Sequence, residues 1–65
     1  MKINKTKIEI LLAKQILPKK EFANKCGVSR QNLSTILRRG TCEPKTVGKI
    51  AMALGVDPVD IIEQE

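Results

Sequence analysis

An all-α fold is the architecture this sequence predicts, on three observations. Apolar residues recur at helical intervals in one segment after another, and nowhere do they alternate as in a half-buried strand. Glycines and prolines (Pro18, Gly27, Gly40, Pro44, Gly55, Pro58) fall between those segments, where helices start and stop. The apolar stock is Ile, Leu, Val and Ala, with one Phe and neither Trp nor Tyr, which suits packed helices. A chain of 65 residues is one domain, 1–65, with a small core. The expectation is a compact bundle of five helices and no strand.

The first helix is expected over about Lys5 to Gln15, where Ile8, Leu11 and Leu12 repeat at three and four with charged residues between. Asn4 or Lys5 precedes its first turn, and Ile16-Leu17 lead into Pro18. Proline fixes φ and lacks a donor, so Pro18 ends the first helix or opens the second. The second helix covers about Lys19 to Cys26 with Phe22, Ala23 and Cys26 on its apolar face. Gly27 stops it, Val28 turns inward, and Ser29 is a good N-cap for a third helix from Arg30 to about Arg38. Leu33, Ile36 and Leu37 form that helix's inner face. Pro44 suits the first turn of a fourth helix, about Lys45 to Leu54, striped by Val47, Ile50, Ala51 and Leu54. Gly48 within it suggests a close approach of two helices. Gly55 ends it. Asp57-Pro58 opens a short fifth helix carrying Val59, Ile61 and Ile62.

The net charge is +5 and unevenly spread. Residues 57–65 contain Asp57, Asp60, Glu63 and Glu65 and no base, leaving 12 bases against 3 acids in residues 1–56, a net +9. A basic body with an acidic end favours a polyanionic partner. With no histidine, Cys26 and Cys42 cannot complete a four-ligand zinc set, so no metal or cofactor is expected. Cys26 sits at a helical core position. Cys42 lies in the loop after the third helix, a place where a thiol can be exposed. No apolar run is long enough to span a bilayer and no signal peptide is visible, so a reduced, cytoplasmic protein is expected. The length leaves no space for a ligand-sensing domain, and no small-molecule effector is expected. Catalysis is excluded on similar grounds: no histidine base, no phosphate-cradling glycine loop ending in Lys-Ser or Lys-Thr, and no base beside either thiol.

The segment from Lys19 to Arg38 has the spacing of a helix-turn-helix: two helices crossing steeply about a short turn. Small Ala23 lets the helices approach, Gly27 permits the bend, and Val28, Leu33 and Ile36 lock the crossing. The outer face of the third helix carries Arg30, Gln31, Ser34, Thr35 and Arg38, with no acid anywhere between Arg30 and Arg39. Arg and Gln make bidentate contacts to guanine and adenine edges in the major groove, which is wide enough to admit a helix. Arg30, Gln31, Ser34 and Thr35 are therefore the candidate base-contacting residues. Lys19, Lys20, Ser29, Asn32, Arg38 and Arg39 are the candidate phosphate contacts, Lys19 and Lys20 at a helix N-terminus that itself favours an anion.

Phe22-Ala23-x-x-Cys26-Gly27-Val28-Ser29-Arg30-x-x-Leu33-Ser34-x-Ile36, followed by Pro44 and by Ile50-Ala51-x-Ala53-Leu54-Gly55-Val56, resembles the phage-repressor family of DNA-binding domains, the Cro/cI or XRE type. The resemblance covers nearly the whole chain. It implies a lambda-repressor-like five-helix domain with its third helix in the major groove, in a bacterial or phage-encoded transcriptional regulator. It also implies a homodimer on palindromic operator DNA. Where family members often open the second helix with Thr-Gln, this chain has Pro18-Lys19, so Lys19 takes the phosphate contact as a point charge. The family's usual Arg in the first helix is Leu12 here. The loop after Gly40 is shorter than in many relatives.

The leading reading is a sequence-specific double-stranded-DNA-binding regulator that represses by occluding a promoter. The alternative is a protein-binding module, an antitoxin-like or polymerase-docking accessory factor that reuses the fold. Its docking surface would be the acidic C-terminal segment with Ile61 and Ile62.

Overall fold

A computed structural model describes residues 1–63; Glu65, counted above in the acidic end, lies outside them. Four α-helices follow one another: α1 (Lys5–Gln15), α2 (Lys19–Cys26), α3 (Arg30–Arg39) and α4 (Pro44–Leu54). The expected fifth helix is instead a single 3-10 turn, Pro58–Asp60. The Asp60 and Ile61 amides donate to the Asp57 and Pro58 carbonyls, the Asp57 side chain caps the Val59 amide, and there the turning stops. Ile61 must enter the core and Ile62 pairs with Ile3, so the chain leaves the helical path for an extended one.

Local signals account for the helix ends. The Asn4 side chain accepts from the Lys7 amide at 3.1 Å, and Ser29 Oγ accepts from the Asn32 amide at 3.0 Å. Each satisfies one of the donors that a helix start leaves without a partner. Pro18 and Pro44 open α2 and α4. Helices α1, α2 and α4 all close on a left-handed residue whose successor's amide reaches back five positions: Leu17 to Leu12, Val28 to Ala23, Val56 to Ala51. Two of these closures use the expected glycines, Gly27 and Gly55. The third uses Ile16, at φ 50° and 88% exposed, a conformation that opposes its branched side chain.

Phe22, Ile8, Leu33, Ile50 and Ile61 are fully enclosed at the centre. Helix α2 packs on both α3 and α4, and the 3-10 turn packs on α4. Gln15 Nε2 donates to the Leu54 carbonyl at 2.7 Å, tying the end of α1 to the end of α4. Leu12 is buried and adds apolar surface to the core. Gly48 does not mark a close helix approach: a Cβ there would meet nothing within 4 Å.

The N-terminal segment is the feature with no counterpart in the expectations. Residues 1–3 run between the loop after α3 and the segment after the 3-10 turn, as isolated antiparallel bridges Lys2–Thr41 and Ile3–Ile62. Ile3 is buried and belongs to the core.

Candidate nucleic-acid interface

The geometry of α2, its turn and α3 decides which side chains meet solvent. Gly27 sits at φ 74°, so the chain reverses without the steric penalty a Cβ brings in that region. Ala23 and Cys26 are buried on α2, Leu33 and Leu37 on α3, and Val28 and Ile36 pack half-buried at the crossing. At 100° per residue, Thr35 lies opposite the Leu33–Leu37 side, with Gln31 and Arg39 about 40° to either side of it and Arg38 and Asn32 about 60°, while Arg30 is the polar residue nearest the leucines. Arg30, Gln31, Asn32, Ser34 and Arg38 are all exposed. The bend at Gly27 and the inward leucines thus hold one polar, acid-free face of α3 toward solvent.

Thr35 differs from its neighbours. It is half-buried, and its hydroxyl donates to the Gln31 carbonyl at 3.0 Å. Its hydrogen is occupied within α3, leaving lone pairs and the methyl group for an outside partner. Ser29 is exposed, and because its oxygen accepts from Asn32, its own hydrogen is left to donate.

Lys19 and Lys20 are exposed in the first turn of α2, and Arg38 and Arg39 in the last turn of α3. Lys19 Nζ lies 4.0 Å from Glu9 Oε1, with both side chains about half exposed. A pair so open contributes little and yields readily to a phosphate. Sequence spacing gave no sign of it, since the partners come from different helices.

Burial pushes the Cys26 thiol above its ordinary pKa. Cys42 is half-buried rather than open. Its pKa is also raised, mainly by burial, with the amino terminus pulling it down and Glu43 pushing it up. Protonated thiols are poor nucleophiles and poor metal ligands. Among the described residues no three His, Cys, Asp or Glu side chains converge as a metal site would require, and no helix is long and apolar enough to cross a membrane. Ile61, the centre of the docking surface in the alternative reading, is fully buried, and Ile62 packs half-buried against the core. Ile61 therefore closes the core and is not presented to a partner, while Ile62 remains partly open to solvent.

Lys2 and Lys5 carry no role in the sequence reading. The chain fold brings both beside Arg38 and Arg39, around one cleft at the end of α3. No local pattern marks them, because the pairing that places them joins segments some forty residues apart.

Two short helices crossing about Gly27, the second capped by Ser29 and held outward by Leu33 and Leu37, define a helix-turn-helix domain. A family model described as helix-turn-helix matches residues 8–61. The chain belongs to that family, in its XRE-type, Cro/cI-like form, and is a DNA-binding regulator. No curated protein and no solved structure matches it.

Proposed function

We propose that the chain is a sequence-specific repressor that binds double-stranded DNA as a homodimer, places α3 in the major groove of each half of a palindromic operator, and occludes a promoter. The observation that carries this reading is the outward face of α3, where Arg30, Gln31, Ser34 and Arg38 are exposed with no acid among them. Arg30 and Gln31 read base edges through bidentate hydrogen bonds, and Ser34 and Thr35 add shorter contacts. Lys19, Lys20, Ser29, Asn32, Arg38 and Arg39 hold the backbone and set the register. Residues 1–65 act as one domain without a small-molecule effector.

A two-fold dimer is supported by an apolar strip formed by Ile10, Leu11 and Val56, in which Ile10 is about half exposed. Lys7 and Lys14 flank it from α1, and Asp60 flanks it from the 3-10 turn. A second copy related by a two-fold axis running along the strip sets lysines against aspartate on both sides. The chain's 30 × 22 × 17 Å extents have the scale needed for equivalent α3 helices to lie one DNA turn apart, about 34 Å. About three phosphates neutralised per subunit gives a log–log salt slope near −5 for the dimer.

Selection from random duplexes at two salt concentrations tests the reading. Enrichment of a palindrome with half-sites one turn apart supports it. Recovery of unselected sequences at both salts contradicts it.

A further inference from the structure

The N-terminal segment carries charge to the place where the recognition helix ends. On one side, the Cys42 amide donates to the Met1 carbonyl at 3.0 Å and the Ile3 amide to the Gly40 carbonyl at 2.9 Å. On the other, the Asn4 amide donates to the Ile61 carbonyl at 2.7 Å and the Glu63 amide to the Lys2 carbonyl at 3.0 Å. Buried Ile3 anchors the middle. The segment's position is thus set by backbone bonds on both edges.

The consequence is a cleft of about 340 Å³ lined by Lys2, Lys5, Arg38 and Arg39, all exposed, with Glu63 as the one acid among its described lining residues. Four like charges around one opening raise the local potential and favour an anion. Arg38 stands four and eight residues from Ser34 and Arg30, so the cleft continues the outward face of α3. The anion class follows from what the cleft lacks. It has no aromatic ring to stack a base, and among the described residues no polar side chain is buried to orient a small ion. An open ring of long basic side chains suits a phosphate whose position is fixed by the rest of a larger complex.

We propose that this cleft seats a phosphate of the DNA backbone beyond the bases read by α3, with Lys2 and Lys5 contacting it beside Arg38 and Arg39, and that Glu63 holds its affinity down. The proposal rests on the reading of α3 as a major-groove helix. It lengthens the footprint of each subunit past the end of that helix, along the sugar-phosphate ridge.

The test is fluorescence anisotropy with the full chain and a selected duplex across a salt series. The variants are Lys2→Gln/Lys5→Gln, Lys5→Gln alone, Glu63→Gln, and Lys49→Gln as a control that removes one positive charge from an exposed position on α4 lining neither this cleft nor the apolar strip. Losing one phosphate contact flattens the salt slope by about 0.9 per subunit and weakens binding roughly tenfold per subunit at about 0.1 M salt. Lys2→Gln/Lys5→Gln should show that loss with unchanged sequence preference, Glu63→Gln should bind severalfold tighter, and Lys49→Gln should match the wild type. If the double variant melts early by circular dichroism, Lys5→Gln, altered only at an exposed side chain, carries the comparison. An unchanged slope in the Lys2 and Lys5 variants overturns the proposal. So does an equal loss in Lys49→Gln, which would make net charge the cause. Specific competition by inorganic phosphate at matched ionic strength also overturns it, by making the cleft a small-anion site. A wild-type chain that ignores duplexes at low salt refutes the underlying reading instead, and this proposal falls with it.

Discussion

The Met1 amino group donates a 2.8 Å hydrogen bond to the carbonyl oxygen of Cys42, 41 residues along the chain. That contact, with buried Ile3 beside it, makes the N-terminal segment a strut under the loop that follows α3. Ile3→Ala is expected to cost about 2–5 kcal/mol, since it removes a buried branched side chain and leaves a cavity. Urea denaturation reads the loss. Hydrogen exchange should also accelerate at the Cys42 and Glu63 amides, whose acceptors lie in residues 1–3. Unaltered exchange there would separate the strut from the core.

Ile16 offers the opposite outcome, a stabilising substitution. It occupies the left-handed region while almost wholly exposed, so it bears conformational strain and buries little. Asn tolerates that region better than a β-branched residue does. Ile16→Asn should raise stability by about 0.5–1 kcal/mol, whereas Gly27→Ala, in open space but at φ 74°, should lower it by about 1 kcal/mol. A urea midpoint that falls in Ile16→Asn would show that Ile16 contributes packing outweighing its strain.

Ser29 joins stability to recognition through one oxygen. Ser29→Ala removes the cap on the Asn32 amide and should cost about 1 kcal/mol, while Ser29→Gly should cost only a few tenths. Thermal melts distinguish the two. DNA affinity should drop in both variants, because neither retains the hydroxyl proposed to meet a phosphate.

The thiols make alkaline stability testable. Both have folded pKa values raised by burial, so the unfolded chain ionises first as pH climbs. Their contribution is complete below the unfolded thiol pKa, about 8.5, and is lost as pH rises through the raised folded value. The urea midpoint should decline above that pH, and less steeply in Cys26→Ala. Native-state alkylation near neutral pH should be slow at Cys42 and slower still at the more deeply buried Cys26.

Much of this molecule was legible in its sequence because its helix boundaries are chemically explicit. Ser29, Gly27, Pro44 and Gly55 each act through their own backbone or side chain, so a linear reading finds them. The apolar spacing of α4 likewise marks Val47, Ile50, Ala51 and Leu54, all buried. Contacts between distant segments left no such mark. The bridges at Lys2 and Ile3 are too short to alternate, and Ile16 closes α1 in the left-handed conformation that glycine usually supplies, with nothing in its type to announce it. The apolar residues after Asp57 resemble a helix by composition, but tertiary demands on Ile61 and Ile62 draw the chain out after one turn. On the interface, exposure at Arg30, Gln31 and Ser34 followed from periodicity, whereas the hydrogen bond of Thr35 to its own helix did not.

The outward face of α3 is tested most directly by titrating the isotopically labelled chain with its selected duplex and mapping backbone amide shifts by NMR. The expected result is perturbation concentrated at residues 2–5, 19–20 and 29–41, with the shifts at 30–35 collapsing toward the non-specific pattern in Gln31→Ala while its melting point holds. Shifts confined to residues 56–63, or a Gln31→Ala variant that still selects the same duplex, would contradict the assignment of α3 as the reading helix.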